Sequence, residues 1–136
     1  MDVKNYAKAA QTAFNARDLD ALAALWAEDM TYLGPDGEMV TGKDHSVERE
    51  KALWAGVPDI QVELTCFAAD GENGVMQGRM TGTHTGTLST ADGTFPPSGR
   101  PLSIEFVALF TFKDGLATSE RVYYDRVQLA AQLGAA

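Results

Sequence analysis

From Met76 to Leu88 the side chains of this chain alternate, and that alternation constrains the fold more than any other feature. Met76, Gly78, Met80, Gly82, His84, Gly86 and Leu88 share one face, while Gln77, Arg79, Thr81, Thr83, Thr85 and Thr87 share the other. Period-two patterning predicts a β-strand with one apolar face turned inward. A single imidazole, His84, interrupts that face. Its flanking glycines predict a sharp bend or a close approach to the backbone, as in the wall of a pocket. The segment that follows, Ser89 to Pro101, is rich in glycine and proline and is expected to form a rim or lid.

A pocket needs a core around it, and the composition supplies one. The chain has 136 residues, 45% hydrophobic and 22% charged, which suits one domain. Its net charge of −8 leaves no basic surface to replace the counterions of a nucleic acid or to bind an anionic membrane. Neither is expected as a partner, and a polyanionic substrate is disfavoured on the same ground. Cys66 is the single cysteine, so no intramolecular disulfide forms and a reducing cytoplasm is the expected compartment. The amino terminus lacks the apolar run of a signal peptide.

Taken in order, Val3 to Ala16 places Val3, Tyr6, Ala7, Ala10, Ala13 and Phe14 on one helical stripe. Asp18 is positioned to cap a second helix running to about Ala27, with Leu19, Leu22, Leu25 and Trp26 buried. Met30 to Leu33, a turn at Gly34-Pro35-Asp36-Gly37, and Glu38 to Thr41 read as a strand pair. A third helix follows to Trp54 or Ala55, and its charged run Glu48, Arg49, Glu50 and Lys51 reads as a solvated face. Asp59 to Phe67 alternates, with Cys66 on the apolar side. Leu102 to Phe112 is a long apolar strand, Leu116 to Asp125 the last strand, and Val127 to Leu133 a short helix. The pattern by itself defines an α+β domain.

Two groups of residues carry a family resemblance. Gly82-Thr83-His84-Thr85-Gly86 with Pro96-Pro97-Ser98-Gly99-Arg100, and Arg121-Val122-Tyr123-Tyr124-Asp125 with Gln132-Leu133-Gly134, resemble the SnoaL-like polyketide cyclases of the nuclear transport factor 2-like superfamily. The resemblance spans nearly the whole chain. It implies a cone, a curved antiparallel sheet wrapped around N-terminal helices with an internal pocket. It further implies a ring-closing aldol reaction without metal or cofactor, in which an aspartate, here Asp125, acts as acid and base, and a homodimer or higher homo-oligomer. Isomerases that use a cavity carboxylate, and non-catalytic binding or assembly proteins, share that superfamily, and fold alone does not choose among them.

The residues themselves leave two roles open for each candidate. Asp125 is either a proton-transfer group made basic by burial or the cap of the helix that begins near Val127. His84 either stabilises developing negative charge or is a structural histidine satisfied by its neighbours. Arg121, on the same face as Tyr123 and Asp125, pairs with Asp125 or with Glu105. Tyr32, Tyr123, Arg121 and Trp54 complete the expected substrate-binding set. The expected ligand is a neutral, apolar, carbonyl-bearing small molecule. No Cys pair or His-Glu-x-x-His spacing predicts a metal, and no phosphate loop or dinucleotide fingerprint is present.

Overall fold

The computed structural model describes residues 2–134. Helix α1 (Val3–Asn15) opens the chain, capped by Asp2, whose Oδ1 accepts the Asn5 amide at 2.8 Å. Its apolar stripe buries Val3, Tyr6, Ala7, Ala13 and Phe14. Arg17 reverses the chain with a left-handed backbone, φ 59°, and Asp18 caps α2 (Leu19–Ala23) by accepting the Ala21 amide. The sequence favours continuation of this helix to Ala27, but it stops four residues early. The Leu25 carbonyl instead accepts the Ala117 amide at 2.9 Å, and strand β1 (Trp26–Leu33) begins at once. Sheet pairing has overridden helical propensity here.

Six strands form the main sheet in the order β2 (Met39–Thr41), β1, β8 (Leu116–Tyr124), β7 (Pro101–Lys113), β4 (Asn73–Thr83) and β3 (Gln61–Asp70). All neighbours are antiparallel except β1 and β8, which run parallel, so the sheet is mixed where an antiparallel one was expected. Helix α3 (Lys43–Gly56) packs on β1, and α4 (Arg126–Gln132) packs on β7. Strands β5 (Leu88–Thr90) and β6 (Gly93–Phe95) form a separate hairpin within the predicted rim. β3 is an edge strand whose free backbone groups are covered by α1. Asn15 both donates to the Val62 carbonyl (3.0 Å) and accepts its amide (2.8 Å), and Gln11 accepts the Leu64 amide at 2.9 Å.

Alternation holds along β7, where Leu102, Ile104, Phe106, Ala108, Phe110 and Phe112 are all buried. It fails where a bulge inserts a residue. In β3 the register shifts between Leu64 and Cys66, which turns Cys66 out to solvent and corrects its expected core position. In β8 the pairing slips between Ala117 and Ser119, with Thr118 held by the Thr111 hydroxyl at 2.8 Å. Beyond that point Glu120, Val122 and Tyr124 share the inward face. β4 ends at Thr83, whose amide donates to Asp59 Oδ1 at 2.7 Å, so His84 lies just past the strand. Gly86 then rests directly on the end of α3, where a Cβ would stand 1.9 Å from the Ala55 carbonyl oxygen. That contact seats the β5–β6 hairpin against α3.

Candidate functional site

The inward faces of β4, β7 and β8, together with α1 and α3, enclose a cavity of about 620 Å³. Apolar side chains dominate its walls, among them Leu22, Trp26, Met76, Ile104, Phe106 and Val122. Its size suits an organic molecule of several rings. One polar cluster stands within it. Arg49 Nη2 donates to Glu50 Oε1 at 2.9 Å and to Glu120 Oε1 at 3.2 Å, and its guanidinium lies 3.6 Å from the Tyr32 ring centroid. The Glu50 and Glu120 side chains are 11% and 12% exposed, against 28% for Arg49. Nearby, Trp26 Nε1 donates to the Tyr6 hydroxyl at 3.1 Å.

Burial, with a smaller push from Glu50, raises the Glu120 carboxyl above the usual range although Arg49 opposes the shift. Burial works against charge on Arg49, but Glu50 and Glu120 outweigh it and hold the guanidinium firmly protonated. Burial also raises the phenols of Tyr6, Tyr32 and Tyr124, which therefore stay protonated at neutral pH. One guanidinium thus serves two carboxylates, and one of them is predisposed to take up a proton.

At the mouth, Arg126 forms a two-pronged ion pair with Asp92 at the tip of the β5–β6 hairpin and reaches the Pro35 carbonyl. Asp36, Glu38 and Glu48 add negative charge to the rim, with His45 beside them. Among the described residues no group of His, Cys, Asp and Glu side chains is arranged to hold a metal ion.

Of the six residues expected to form the site, only Tyr32 lines this cavity. Asp125 is exposed and caps α4, its Oδ1 accepting the Gln128 amide at 3.0 Å. Arg121 and Tyr123 point outward with it because the Thr118 bulge fixes the opposite parity for the inward face. Arg121 meets neither proposed partner, and Glu105 pairs with Arg79. Trp54 packs behind the wall against Phe14 (ring centroids 5.5 Å) and Arg17, and its buried Nε1 has no acceptor among the described residues.

His84 is fully buried behind the wall, outside the cavity lining. Its Nε2 lies 3.2 Å from the Phe95 carbonyl, which only accepts, so Nε2 carries a proton. In the neutral ring Nδ1 then accepts from the Ser98 hydroxyl at 2.8 Å. Its backbone amide donates to the Arg100 carbonyl, and its own carbonyl accepts from Ser98 and Gly99. His84 therefore pins the segment from Phe95 to Arg100, which is the structural role left open by the sequence.

Arg49, Glu50 and Glu120 were missed for an identifiable reason. The buried stripe of α3 runs through Ser46 and Glu50, so it is polar in its middle and resembles a solvated face. The available signal was spacing: Val47, Glu50, Leu53 and Trp54 fall on one side of a 3.6-residue helix.

A curved sheet closed by helices over an apolar cavity, with a buried carboxylate–guanidinium cluster, is a nuclear transport factor 2-like architecture. A profile of the SnoaL-like polyketide cyclase family matches residues 4–133, and the chain belongs to that family. Among solved structures, a proposed SnoaL-like polyketide cyclase from Jannaschia sp. CCS1 superposes with a TM-score of 0.83 at 21% identity, over 98% of this chain and 94% of that one. IdmH, a proposed polyketide cyclase from Streptomyces antibioticus, gives 0.80 at 22%, over 96% and 97%. A Catenulispora acidiphila DSM 44928 protein with a ketosteroid isomerase-like fold gives 0.78 at 21%, over 98% and 95%. Curated protein sequences include no match. No helix among the described residues is long and apolar enough to cross a membrane.

Proposed function

We propose that this chain is a cofactor-free enzyme that moves a proton on a neutral, apolar carbonyl compound, with Glu120 as the acid/base group and ring-closing aldol condensation as the reaction. The observation that carries this reading is the Glu120 carboxyl, nearly buried inside an apolar cavity and raised in pKa by that burial. A raised carboxylate is a stronger base toward a carbon acid. In the proposed step Glu120 removes a proton from the carbon beside a carbonyl. The resulting enolate carbon attacks a second carbonyl of the same molecule, a carbon–carbon bond forms, and the new alkoxide recovers the proton from Glu120. Arg49 stays charged throughout and remains paired with Glu50.

The acidic rim, with Asp36, Glu38 and Glu48 around the mouth, supports a neutral ligand over an anionic one. Leu109 and Tyr123, exposed on the outer face of the sheet, support the homodimer implied by the resemblance. A cytoplasmic location accords with the single, exposed Cys66. One observation favours a second reading: Arg49 already occupies Glu120, as in a structural ion pair, and this suits a non-catalytic ligand-binding protein.

The test is Glu120→Gln against a panel of neutral polycyclic ketones, with ligand binding followed by thermal shift. Turnover is expected to fall by about a hundredfold or more while the ligand still stabilises the variant. Full turnover in Glu120→Gln overturns the assignment, and stabilisation of the wild type without consumption of any ketone favours the binding protein.

A further inference from the structure

We propose that the β5–β6 hairpin is a gate over the cavity mouth, latched shut by the ion pair between Asp92 at its tip and Arg126 at the start of α4. The inference goes beyond the proposed reaction, because it concerns how a molecule enters and leaves the cavity whatever happens to it inside.

Leu88, Ser89, Thr90, Ala91 and Asp92 of the hairpin line the cavity, and so do Gly34, Pro35 and Asp36 in the turn between β1 and β2. Arg126 joins the two. Its Nε donates to Asp92 Oδ2 at 3.0 Å, its Nη2 donates to Asp92 Oδ1, and its Nη1 reaches the Pro35 carbonyl at 3.5 Å. One guanidinium thus ties the hairpin, the turn and α4 together at the mouth. Among the described residues the hairpin pairs with no strand of the main sheet, so no backbone ladder does this in its place. Asp125, by capping α4, sets the first turn from which Arg126 projects.

The hairpin is held firmly at its base and weakly at its tip. At the base, the Gly86 amide donates to the Gly56 carbonyl at 3.0 Å, and Leu88 is buried so closely on Gly56 that a Cβ there would stand 2.7 Å from it. On the returning strand the Phe95 carbonyl is held by His84. Beyond that base only the pairs Ser89 with Thr94 and Thr90 with Gly93 continue the ladder, and an isolated two-stranded ribbon is marginal in water. At the tip, the Asp92 and Arg126 side chains are each 40% exposed. Ion pairs so exposed are weak and are screened by salt. The hydrogen bonds from Arg126 hold the Asp92 carboxyl below the usual range, so the latch is charged at neutral pH. A pinned base with a weak charged latch lets the tip swing without disturbing the core.

The experiment uses Prodan, a neutral naphthyl ketone whose emission shifts to the blue in apolar surroundings, mixed with the full chain in a stopped-flow instrument. Arg126→Met and Asp92→Ala are each expected to raise the association and dissociation rates together, by about two- to fivefold, as fits the loss of one exposed ion pair. Kd is expected to change little, because the latch closes on the empty and the filled cavity alike. The double variant is expected to be no faster than either single one, since both remove the same contact. Raising sodium chloride from about 0.05 M to about 0.5 M is expected to bring the wild-type rates toward those of the variants and to leave the variants unchanged. Prodan carries no charge, so the salt acts on the latch and not on the encounter. Hydrogen exchange gives a second readout that needs no ligand: amides in residues 88–95 are expected to exchange faster in Arg126→Met, with β7 unaffected.

Unchanged Prodan rates in both single variants overturn the proposal, as do additive acceleration in the double variant or the same salt response in wild type and variants. A changed Kd with an unchanged association rate also overturns it, and makes Arg126 a ligand contact. If Prodan binds none of the chains, hydrogen exchange decides, and equal exchange over residues 88–95 in wild type and Arg126→Met rejects the gate. Faster Prodan exchange in the latch variants together with full turnover in Glu120→Gln upholds the gate and refutes the base. Loss of turnover in Glu120→Gln with latch variants that match the wild type does the reverse.

Discussion

Replacing Arg49 with methionine removes the only cation within hydrogen-bond reach of Glu50 and Glu120 among the described residues, and its effect on stability can be worked out in advance. Methionine keeps an unbranched apolar stem over the Tyr32 ring but leaves two nearly buried carboxylates facing each other. Breaking a buried pair costs about 3–5 kcal/mol, and the partial exposure of Arg49 points to the lower end, about 3 kcal/mol. For a chain of this size that is a fall of roughly 10 °C in Tm.

The loss depends on pH with a definite sign. The Glu120 carboxyl is already raised in the native protein, and Arg49 is what opposes the rise, so the variant raises it further. Between the ordinary glutamate value and the raised native value, the folded chain holds a proton that the unfolded chain has released. The stability from that proton is complete below the ordinary value and disappears as pH climbs through the raised one. Arg49→Met is therefore expected to approach wild-type stability near about pH 5 and to fall furthest below it near about pH 8, the gap changing by about 1.4 kcal/mol per unit of additional shift. Urea denaturation across that range measures it. Adding Glu120→Gln removes one of the two charges and is expected to restore much of the loss at the higher pH. Parallel stability curves for variant and wild type, or a double variant no more stable than the single one, would refute the reasoning.

Two further substitutions separate structural from chemical roles. Asp125→Ala removes the cap of α4 and is expected to cost about 1 kcal/mol in thermal or chemical denaturation, with turnover unchanged; a loss of turnover matching that of Glu120→Gln would return the acid/base role to Asp125. Ser98→Ala deprives the buried His84 Nδ1 of its protein donor and is expected to lower stability by about 1 kcal/mol while sparing the cavity, as denaturation and ligand-induced thermal shift on the same sample would report.

The elements whose burial follows a regular period were legible in the sequence. Val3, Tyr6, Ala7, Ala13 and Phe14 on α1, and Leu102, Ile104, Phe106, Ala108, Phe110 and Phe112 on β7, are buried as the spacing predicts, with Ala10 half-buried on the same stripe. The cone, its cavity and the family were legible through the two motif groups. Illegibility began where pairing at a distance set the local outcome. Leu25 gives its carbonyl to Ala117, so α2 yields to a strand, and the bulge at Thr118 decides which face of β8 looks inward. A single inserted residue moves every later side chain to the opposite face. Asp125, Tyr123 and Arg121 were consequently expected in the cavity, where Glu120, Val122 and Tyr124 stand. The cluster on α3 was hidden by a different cause, because a buried charge and a solvated one are the same letter, and only the partner on β8 distinguishes them.

The parallel pairing of β1 with β8 has a bearing on when the cavity comes into being. Strand β8 is the last of the sheet, yet it lies beside the first and carries the carboxylate that Arg49 engages across 71 residues of sequence. Contacts of such separation form slowly, since a long loop must close before they return any free energy. A nascent chain that has made α1, α3 and β4 still lacks one wall of the chamber and half of its charge cluster. Competence to bind arrives with completion of the sheet, so ligand in excess selects finished molecules and pulls the folding equilibrium toward them.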